Sequence, residues 1–268
     1  MFVFLLKHKL QYFLFFVFFS VNAAGFVVRA EDSPGKNNTV VVSISGQISK
    51  NVLAKIKKSI AGVTGDPLPA GLIVLLDSPG GDGMAAMEIG RLLRASNAHV
   101  FVTGQCASAC IFVLAAGVVR GAASLSVGIH RGRITMSDAD AKILSDVDVS
   151  KNADAQKFLN KYELAAETYL SQMGMSPALF EAMQNHQQKG VYRLNTKQLA
   201  VFKLTGYEPA YLDHRFNMFK NNKKYLISEP EELVRRTAKV SSYCAKYDLK
   251  QTEFFECYKQ VLSDPYLN

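Results

Sequence analysis

The segment Gly71-Leu-Ile-Val-Leu-Leu-Asp-Ser-Pro-Gly-Gly-Asp-Gly83 sets the architecture expected for this chain. Its first half is a continuous apolar run, which is typical of a strand covered on both faces of a sheet. Its second half is a turn with three glycines, and a helix is predicted directly after it, over residues 84–93. The segment therefore predicts a strand, a tight turn and a helix, which is the repeating unit of a parallel sheet.

The same alternation continues on both sides of this segment. Further strands are predicted over residues 39–45, 98–104 and 124–130, and further helices over residues 49–60 and 107–116. After Arg133 the pattern becomes helical, with helices predicted over residues 150–173, 176–186 and 196–202. We therefore expect an α/β domain with a parallel sheet over residues 31–221, followed by a helical C-terminal extension over residues 222–268.

The composition is that of an ordinary folded protein. The chain has 268 residues, of which 49% are hydrophobic and 20% are charged, and this excludes a disordered chain, collagen and a coiled coil. Its net charge is +8, from 31 Lys and Arg against 23 Asp and Glu, and a tight basic cluster occurs only at residues 220–224. Because the charge is spread out, no nucleic-acid partner is expected.

The first thirty residues have the features of a secretory signal. Lys7 and Lys9 precede an apolar run of about ten residues, and small residues follow it. Either Val21-Asn-Ala23 or Val28-Arg-Ala30 would serve as the cleavage tripeptide. We therefore expect residues 1–30 to be a signal peptide and the protein to be exported, in a bacterium to the periplasm. The alternative is an uncleaved N-terminal anchor with membrane association, which the short run disfavours because a span needs about 20 residues.

Export changes the expectation for the four cysteines, because thiols tend to pair in an oxidising compartment. Cys244 and Cys257 lie in a predicted helical hairpin, and a disulfide between them would staple a segment with little core of its own. Cys106 and Cys110 flank Ser108, and we favour small buried hydrophobic residues for this pair, with a disulfide as the alternative. The histidines are scattered and no His/Cys spacing resembles a zinc site, so no metal is expected.

Three segments carry residue types suited to chemistry. Ser108 lies where a strand gives way to a helix, so its hydroxyl would be exposed beside the N–H of Ala109. The glycine-rich turn of the opening segment would bring further N–H groups close to an anion, although it lacks the Gly-Lys-Ser/Thr ending of a phosphate loop. His130 follows the next predicted strand, at the sheet edge where parallel sheets bind ligands. Considered alone, Ser108 could be a helix N-cap and His130 an ordinary core histidine. The glycine-rich turn, Ser108 and His130 occurring in this order favour a reactive site.

The chain resembles the Clp protease proteolytic-subunit family, within the crotonase-like superfold. The resemblance rests on these motifs, in this order: Ser78-Pro-Gly-Gly-Asp82, Gly104-x-Cys-Ala-Ser-Ala-Cys110, Ala115-Ala-Gly-x-x-Arg120 and Gly128-x-His130. It covers roughly residues 39 to 210, is strong from 71 to 131, and is closer to exported Clp-like bacterial proteins with a Cys-Ala-Ser-Ala-Cys motif. It implies a β–β–α spiral fold, a serine hydrolase site without a cofactor, a peptide or protein substrate, and symmetric homo-oligomers.

The resemblance also implies roles for individual residues. By position in the motifs, Ser108 matches the nucleophile and His130 the general base. The backbone N–H groups of Ala109 and of Gly81, or alternatively Gly80, match the oxyanion hole. Such donors stabilise the tetrahedral oxyanion, and the loss of one typically costs about 3 kcal/mol in the transition state.

One position departs from the family pattern. The aspartate that orients the histidine in that family would fall at about Val191, and no acid lies nearby. Asn195 or a backbone carbonyl would then orient the ring, or the site is a dyad, or it is weak or inactive. We therefore expect an exported serine peptidase acting on peptides or unfolded protein segments, with a catalytically weak or inactive binding or scaffold protein as the alternative. An acyl-CoA enzyme of the crotonase type is disfavoured, because export would separate it from CoA and leave Ser108 without a role.

Overall fold

The computed structural model describes residues 27–32, 39–61, 71–137, 143–186, 190–247, 250–264 and 266. Most of the expected signal peptide, residues 1–26, therefore lies outside the described residues. Within the described ranges, no helix combines the length and the apolar composition that crossing a bilayer requires. This finding does not test the signal peptide, most of which lies outside the described residues. The expectation of export therefore stays a prediction.

The described elements alternate between strands and helices in the N-terminal half and are mainly helical afterwards. The strands are β1 (Val27–Asp32), β2 (Val40–Ser45), β3 (Leu72–Ser78), β4 (His99–Ala107), β5 (Val119–Gly121), β6 (Val127–Ile129), β7 (Thr135–Ser137), β8 (Ile143–Asp146), β9 (Tyr192–Arg193) and β10 (Gly206–Tyr207). The helices are α1 (Lys50–Ser59), α2 (Gly83–Ala95), α3 (Cys110–Ala116), α4 (Ala153–Gln172), α5 (Pro177–Asn185), α6 (Thr196–Val201), α7 (Pro209–Phe219), α8 (Pro230–Tyr243) and α9 (Gln251–Ser263).

A mostly parallel sheet organises these elements. Among the described residues it has eight strands: six follow the order β1-β2-β3-β4-β5-β10, β6 also pairs with β4, and β9 pairs with β6. The pairs β2–β3, β3–β4, β4–β5 and β4–β6 are parallel, whereas β1, β9 and β10 pair antiparallel with their neighbours. Strands β7 and β8 form a separate two-stranded hairpin. The predicted α/β class with a parallel sheet is confirmed, and the spiral arrangement stays a prediction.

The apolar run of β3 is explained by helices on both faces of the sheet. Successive side chains of a strand point to opposite faces. Leu72, Val74 and Leu76 accordingly belong to one core, shared with α1, α2 and α3, while Ile73 and Leu75 belong to a second core on the other face. Both cores are fully enclosed at β3, which is why the run shows no polar alternation.

The C-terminal helices supply the second core. Side chains of α8 and α9 pack there, and a disulfide joins Cys244 at the end of α8 to Cys257 in α9. His99, fully buried at the start of β4, lies 2.9 Å from the hydroxyl of Tyr258 and 2.7 Å from that of Tyr211 through its two ring nitrogens. The extension is therefore a layer on the same sheet, and the domain boundary at residue 221 stays a prediction.

Several strands of the structure were not predicted from the sequence: β1, β5 and β7 to β10. Of these, β5 lies between β4 and β10 in the main sheet. Strand β4 runs from His99 to Ala107, so two short strands pair with it in succession: β5 with its first part and β6 with its last part. The predicted strand over residues 124–130 is shorter in the structure, and β5 precedes it unpredicted. With three residues, one of them the buried Arg120, β5 has too little apolar sequence to be recognised.

Candidate active site

Ser108 occupies a strained turn between β4 and α3. Its φ is +55°, in the left-handed region that residues other than glycine rarely adopt. The turn is held by two backbone hydrogen bonds: the Ser108 N–H donates to the Gly128 carbonyl at 3.0 Å, and the Ser108 carbonyl accepts from the Ile111 N–H at 3.2 Å. A strained strand-to-helix turn is the arrangement that presents a nucleophilic hydroxyl in many hydrolases, and Ser108 is half-buried here.

A disulfide closes this turn, contrary to the reading that the sequence favoured. Cys106 and Cys110 are joined, with their Cα atoms 5.2 Å apart, and both side chains are fully buried. The turn itself explains the pairing, since it brings the end of β4 to the first residue of α3 within the Cα separation that disulfides normally span. Among the described residues no cysteine is free, so the expectation of two unpaired thiols beside Ser108 is wrong.

The glycine-rich turn after β3 packs directly on the Ser108 turn. Gly80 has a φ of +106°, and a Cβ added to it would lie 2.7 Å from both the Ala107 carbonyl oxygen and the Ser108 Cβ. Such distances are far shorter than any normal contact, so only glycine allows this approach. The same added Cβ would lie 3.0 Å from the Ala109 nitrogen. The absence of a side chain at Gly80 thus allows the two turns to pack against each other.

The backbone around Gly81 leaves one amide unoccupied. The Ile48 N–H donates to the Gly80 carbonyl at 2.8 Å, and the Asp82 N–H donates to the Ile48 carbonyl at 2.9 Å. This is a parallel bridge that flanks Gly81, so the Gly81 N–H points away from Ile48. Within the described residues, neither the Gly81 N–H nor the Ala109 N–H donates to a protein acceptor.

Gly80 is the weaker oxyanion candidate of the two glycines. Its N–H already donates to the Ser78 hydroxyl at 3.1 Å. The amides left to bind a developing negative charge are therefore those of Gly81 and Ala109, which are the pair that the sequence motifs favoured. The role of either amide in catalysis stays a prediction.

His130 lies just after β6, and a backbone carbonyl fixes its tautomer. Its Nδ1 is 2.6 Å from the carbonyl oxygen of Arg131. Because a carbonyl can only accept, Nδ1 carries the proton and Nε2 is left as the basic nitrogen. Burial of the ring lowers the pKa of His130 below its ordinary value, and electrostatic interaction with Arg133 and His186 lowers it further. The bond to Arg131 and the charge of Asp146 oppose this lowering of the pKa.

Ser108 and His130 line one cleft, together with Gly80 and Gly81. The cleft has a volume of about 730 Å³. Behind it lies a recess of about 20 Å³ that Ala109 also lines. Ser108, His130, Gly81 and Ala109 therefore line the cleft and this recess, although no hydrogen bond joins Ser108 to His130 among the described residues. Their catalytic roles stay predictions, whereas Cys244 and Cys257 lie in the second core.

The alternatives for orienting His130 can now be compared. Val191 lines the cleft, and its Cγ1 would be 2.1 Å from a Cβ added to Gly128, so an apolar side chain fills the space at this position. Asn195 caps α6 instead: its side chain accepts from the Gln198 N–H at 3.0 Å. Of the three groups considered, only a backbone carbonyl, that of Arg131, contacts the ring of His130 among the described residues.

Tyr162, on α4, is a cleft residue that the sequence did not single out. Its ring fits between two glycines, since a Cβ added to Gly83 would lie 2.3 Å from the Tyr162 hydroxyl and one added to Gly132 would lie 3.0 Å from its ring. Burial, together with the negative charge of Asp82 and Glu163, raises the pKa of Tyr162 to about 12. Nothing in the polar sequence of α4 distinguishes this tyrosine, because its position depends on where the helix packs.

The site offers backbone amides and two reactive side chains, but no cluster of metal ligands. Among the described residues, no group of three or more His, Cys, Asp or Glu side chains is arranged to hold a metal ion. The chemistry that the arrangement can support is attack by a hydroxyl, with a neutral imidazole as the base and amide donors for a developing oxyanion.

Comparisons with known proteins add little to this geometry. Neither the models of protein families nor the curated proteins give a match. Among solved structures, the chain is similar to a variant of ClpP1 from Listeria monocytogenes, with a TM-score of 0.46 and 15% sequence identity over 62% of this chain and 88% of that chain. Likeness at this level says nothing about chemistry, so a function has to be supported by the site itself.

The contact between the two turns predicts the effect of one methyl group. Gly80→Ala would force a Cβ into the Ser108 turn and should lower the rate at which Ser108 reacts with a fluorophosphonate by at least about tenfold, as expected when a reactive group is displaced. Gly174→Ala is the matched control, because Gly174 also has a positive φ, +74°, but no atom lies within 4 Å of its added Cβ. The control should lose only about 1–2 kcal/mol of unfolding free energy and react normally. Equal reaction rates for the two variants would contradict this contact.

Proposed function

We propose that this chain is a serine peptidase that hydrolyses peptides or unfolded protein segments. The observation that supports it most directly is that Ser108 and His130 line one cleft in which Gly81 offers a free amide, and that Nε2 of His130 is the basic nitrogen. Each of these features has a defined part in acyl transfer. The resemblance of the motifs to Clp-type peptidases points to the same substrate class.

The proposed reaction begins with attack by the Ser108 hydroxyl. Oγ bonds to the substrate carbonyl carbon while Nε2 of His130 takes the hydroxyl proton. The electron pair of the carbonyl moves to its oxygen, and the N–H groups of Gly81 and Ala109 stabilise the resulting charge. The C–N bond then breaks, and the leaving amine takes the proton from Nε2. A water molecule repeats the sequence on the acyl-enzyme and releases the acid product.

A second candidate follows from the group that orients His130. A neutral carbonyl stabilises the imidazolium formed during attack less than an aspartate does. Burial and the positive charges near the ring disfavour that imidazolium further. A catalytically weak or inactive binding protein with the same cleft is therefore the alternative to the peptidase, and direct labelling of Ser108 distinguishes the two.

Labelling with a fluorophosphonate tests the proposal. The wild-type chain should be labelled and Ser108→Ala should not, because the probe bonds only to an activated hydroxyl. Ser96→Ala is the control: the Ser96 hydroxyl bonds the Leu92 carbonyl at the end of α2, outside the cleft. Mass spectrometry of the labelled peptide would identify the site. A wild-type chain that takes up no more label than Ser108→Ala would exclude the peptidase and favour the binding protein.

The environment of His130 predicts the pH dependence of the reaction. Because burial lowers the pKa of His130 below 6.5, the base stays neutral as the pH falls through 6.5, and it is lost only at the lower pKa of the folded protein. The acid limb of kcat/KM should therefore have its midpoint below pH 6.5. Rates of fluorophosphonate labelling across the same pH range should show the same limb. A midpoint above 6.5 would contradict the assignment of His130, as buried here, to the role of base.

Export of the protein is part of the proposal. Two disulfides, Cys106–Cys110 and Cys244–Cys257, support folding in an oxidising compartment. Strand β1 bears on the cleavage site, since its residues Val27–Asp32 pair antiparallel with β2. Cleavage after Ala30 would remove most of this strand, whereas cleavage after Ala23 would keep it. We therefore infer that the signal is removed after Ala23.

Expression in a bacterial host with a periplasm tests this inference. The intact mass and N-terminal sequence of the periplasmic protein should show Ala24 as the first residue, because the strand is then complete. A protein that begins at Glu31 would contradict the role given to β1. A full-length chain in the membrane fraction would support the uncleaved anchor and contradict export by cleavage.

Self-association remains an expectation of the sequence resemblance. Exposed apolar side chains occur on α4, at Phe158 and Leu164, and on the β7–β8 hairpin, at Met136 and Leu144. Phe158 also lines the cleft. These side chains are compatible with contact to a second copy or to an unfolded substrate.

A further inference from the structure

A single residue, Arg131, connects the proposed base to two neighbouring helices. Its carbonyl oxygen accepts a hydrogen bond from the Nδ1–H of His130 at 2.6 Å. Its backbone N–H donates to the carbonyl of His186, directly after α5, at 3.3 Å. Its guanidinium Nε donates to Glu163 Oε1 of α4 at 3.2 Å. Arg131 is thus held by its backbone N–H and by its side chain, while its carbonyl contacts the ring.

These contacts matter because Arg131 lies outside regular secondary structure. Residues 130–134 join β6 to β7 without belonging to a helix or strand, so no ladder of hydrogen bonds fixes the Arg131 carbonyl. A backbone carbonyl can orient an imidazole only if its own position is fixed. The ion pair with Glu163 is the only side-chain anchor that the structure gives Arg131 among the described residues.

Glu163 is well placed for this task. It is half-buried, with 18% of its side chain exposed, and it lines the recess behind the cleft together with Ser108 and His130. It also follows Tyr162, whose ring is fixed between Gly83 and Gly132. The carboxylate therefore sits on a rigid part of α4, beside the site but without a bond to the ring.

We propose that the Arg131–Glu163 ion pair positions the base of this site, by holding the Arg131 carbonyl against Nδ1 of His130. The inference rests on the proposed function. Glu163 and Arg131 are positioning residues: neither side chain touches the reacting atoms, and Glu163 acts on the ring through Arg131. Glu163 holds Arg131, and the Arg131 carbonyl holds the ring of His130. The pair thereby replaces the orienting carboxylate that is missing at Val191.

Other ionisable groups lie near the ring of His130, and one of them provides a control for the loss of Glu163. Arg133 and His186 lower the pKa of His130, and Asp146, on β8, raises it. Asp146 forms its own ion pair with Arg133, at 3.3 Å. Loss of Asp146 removes the same negative charge as loss of Glu163, but it leaves the Arg131 carbonyl anchored.

The test therefore compares Glu163→Met with Asp146→Leu, each of which replaces a carboxylate by an apolar side chain. Glu163→Met should lower kcat by about 10- to 100-fold, as expected for a displaced catalytic group, with KM little changed. Asp146→Leu should stay close to wild type, because Asp146 pairs with Arg133 and forms no ion pair with Arg131 among the described residues. Glu163→Gln, which keeps an acceptor for Arg131, should fall between wild type and Glu163→Met. The charge swap Arg131→Glu with Glu163→Arg should recover part of the loss, since the carbonyl belongs to the backbone.

Nitrogen NMR of the imidazole gives a readout that does not need turnover. In the wild type, His130 should be protonated at Nδ1 when neutral, and Glu163→Met should shift the neutral ring toward a mixture of the two tautomers. Circular dichroism would show whether the variants are folded, and Arg131→Met replaces Glu163→Met if the latter is not. An Arg131→Met variant has no cation to pair with Glu163, so the same loss is expected.

The outcomes separate this inference from the proposed function. Unchanged kcat and an unchanged imidazole spectrum in folded Glu163→Met would overturn the positioning role while the peptidase stands. An equal loss in Asp146→Leu would also overturn it and would assign the orienting role to Asp146. If the wild-type chain has no hydrolytic activity, the proposed peptidase function is wrong. The NMR comparison would still decide whether the ion pair holds the ring of His130.

Discussion

The close approach of two backbone turns determines the geometry of the candidate site. Gly80 lies so near the Ser108 turn that a single methyl group would overlap both Ala107 and Ser108. Gly81 and Ser108 line the same cleft as a result, and the contact requires that β3 and β4 be parallel neighbours ending at the same edge. The sheet therefore provides the alignment, and the missing side chain at position 80 provides the proximity.

Much of this arrangement could be predicted because it is local in the sequence. The apolar run over residues 72–76 and the turn that follows predicted a buried strand and a helix, and the strand-to-helix junction predicted an exposed Ser108. Parallel strands end at one edge, so the prediction that Ser108 and His130 lie at the same edge of the sheet needed only the order of the elements. Both side chains line the same cleft.

The parts that could not be predicted depend on tertiary structure or on the backbone. The Arg131 carbonyl has no sequence signature, since every residue carries one. Glu163 is 32 residues from Arg131, so their pairing appears only once α4 is packed. The Cys106–Cys110 disulfide depends on the left-handed conformation of Ser108, which a motif of small residues does not reveal. Strand β5 is too short to produce a pattern of alternation.

The orienting carbonyl has an electrostatic consequence for the rate. A base with a lowered pKa is neutral over a wider pH range, but it has less driving force to take the serine proton. A carboxylate at the ring would have stabilised the imidazolium, and here the ring is instead half-buried and close to the positive charge of Arg133. In the proposed peptidase, more of the rate enhancement would have to come from the oxyanion donors and from holding the reacting groups in place, and the rigidity of the Ser108 turn would matter more.

The disulfide is suited to supply that rigidity. The left-handed conformation of Ser108 costs about 1–2 kcal/mol in an ordinary chain. A cross-link over a loop as short as Cys106–Cys110 stabilises the folded state by about 2 kcal/mol in the chain-entropy account. The two quantities are similar, so the free energy that the cross-link contributes to folding compensates for the cost of the left-handed Ser108. Both cysteine side chains are buried, so a reductant reaches the disulfide only after the turn opens. The intact bond therefore keeps Ser108 in its left-handed conformation in the folded protein.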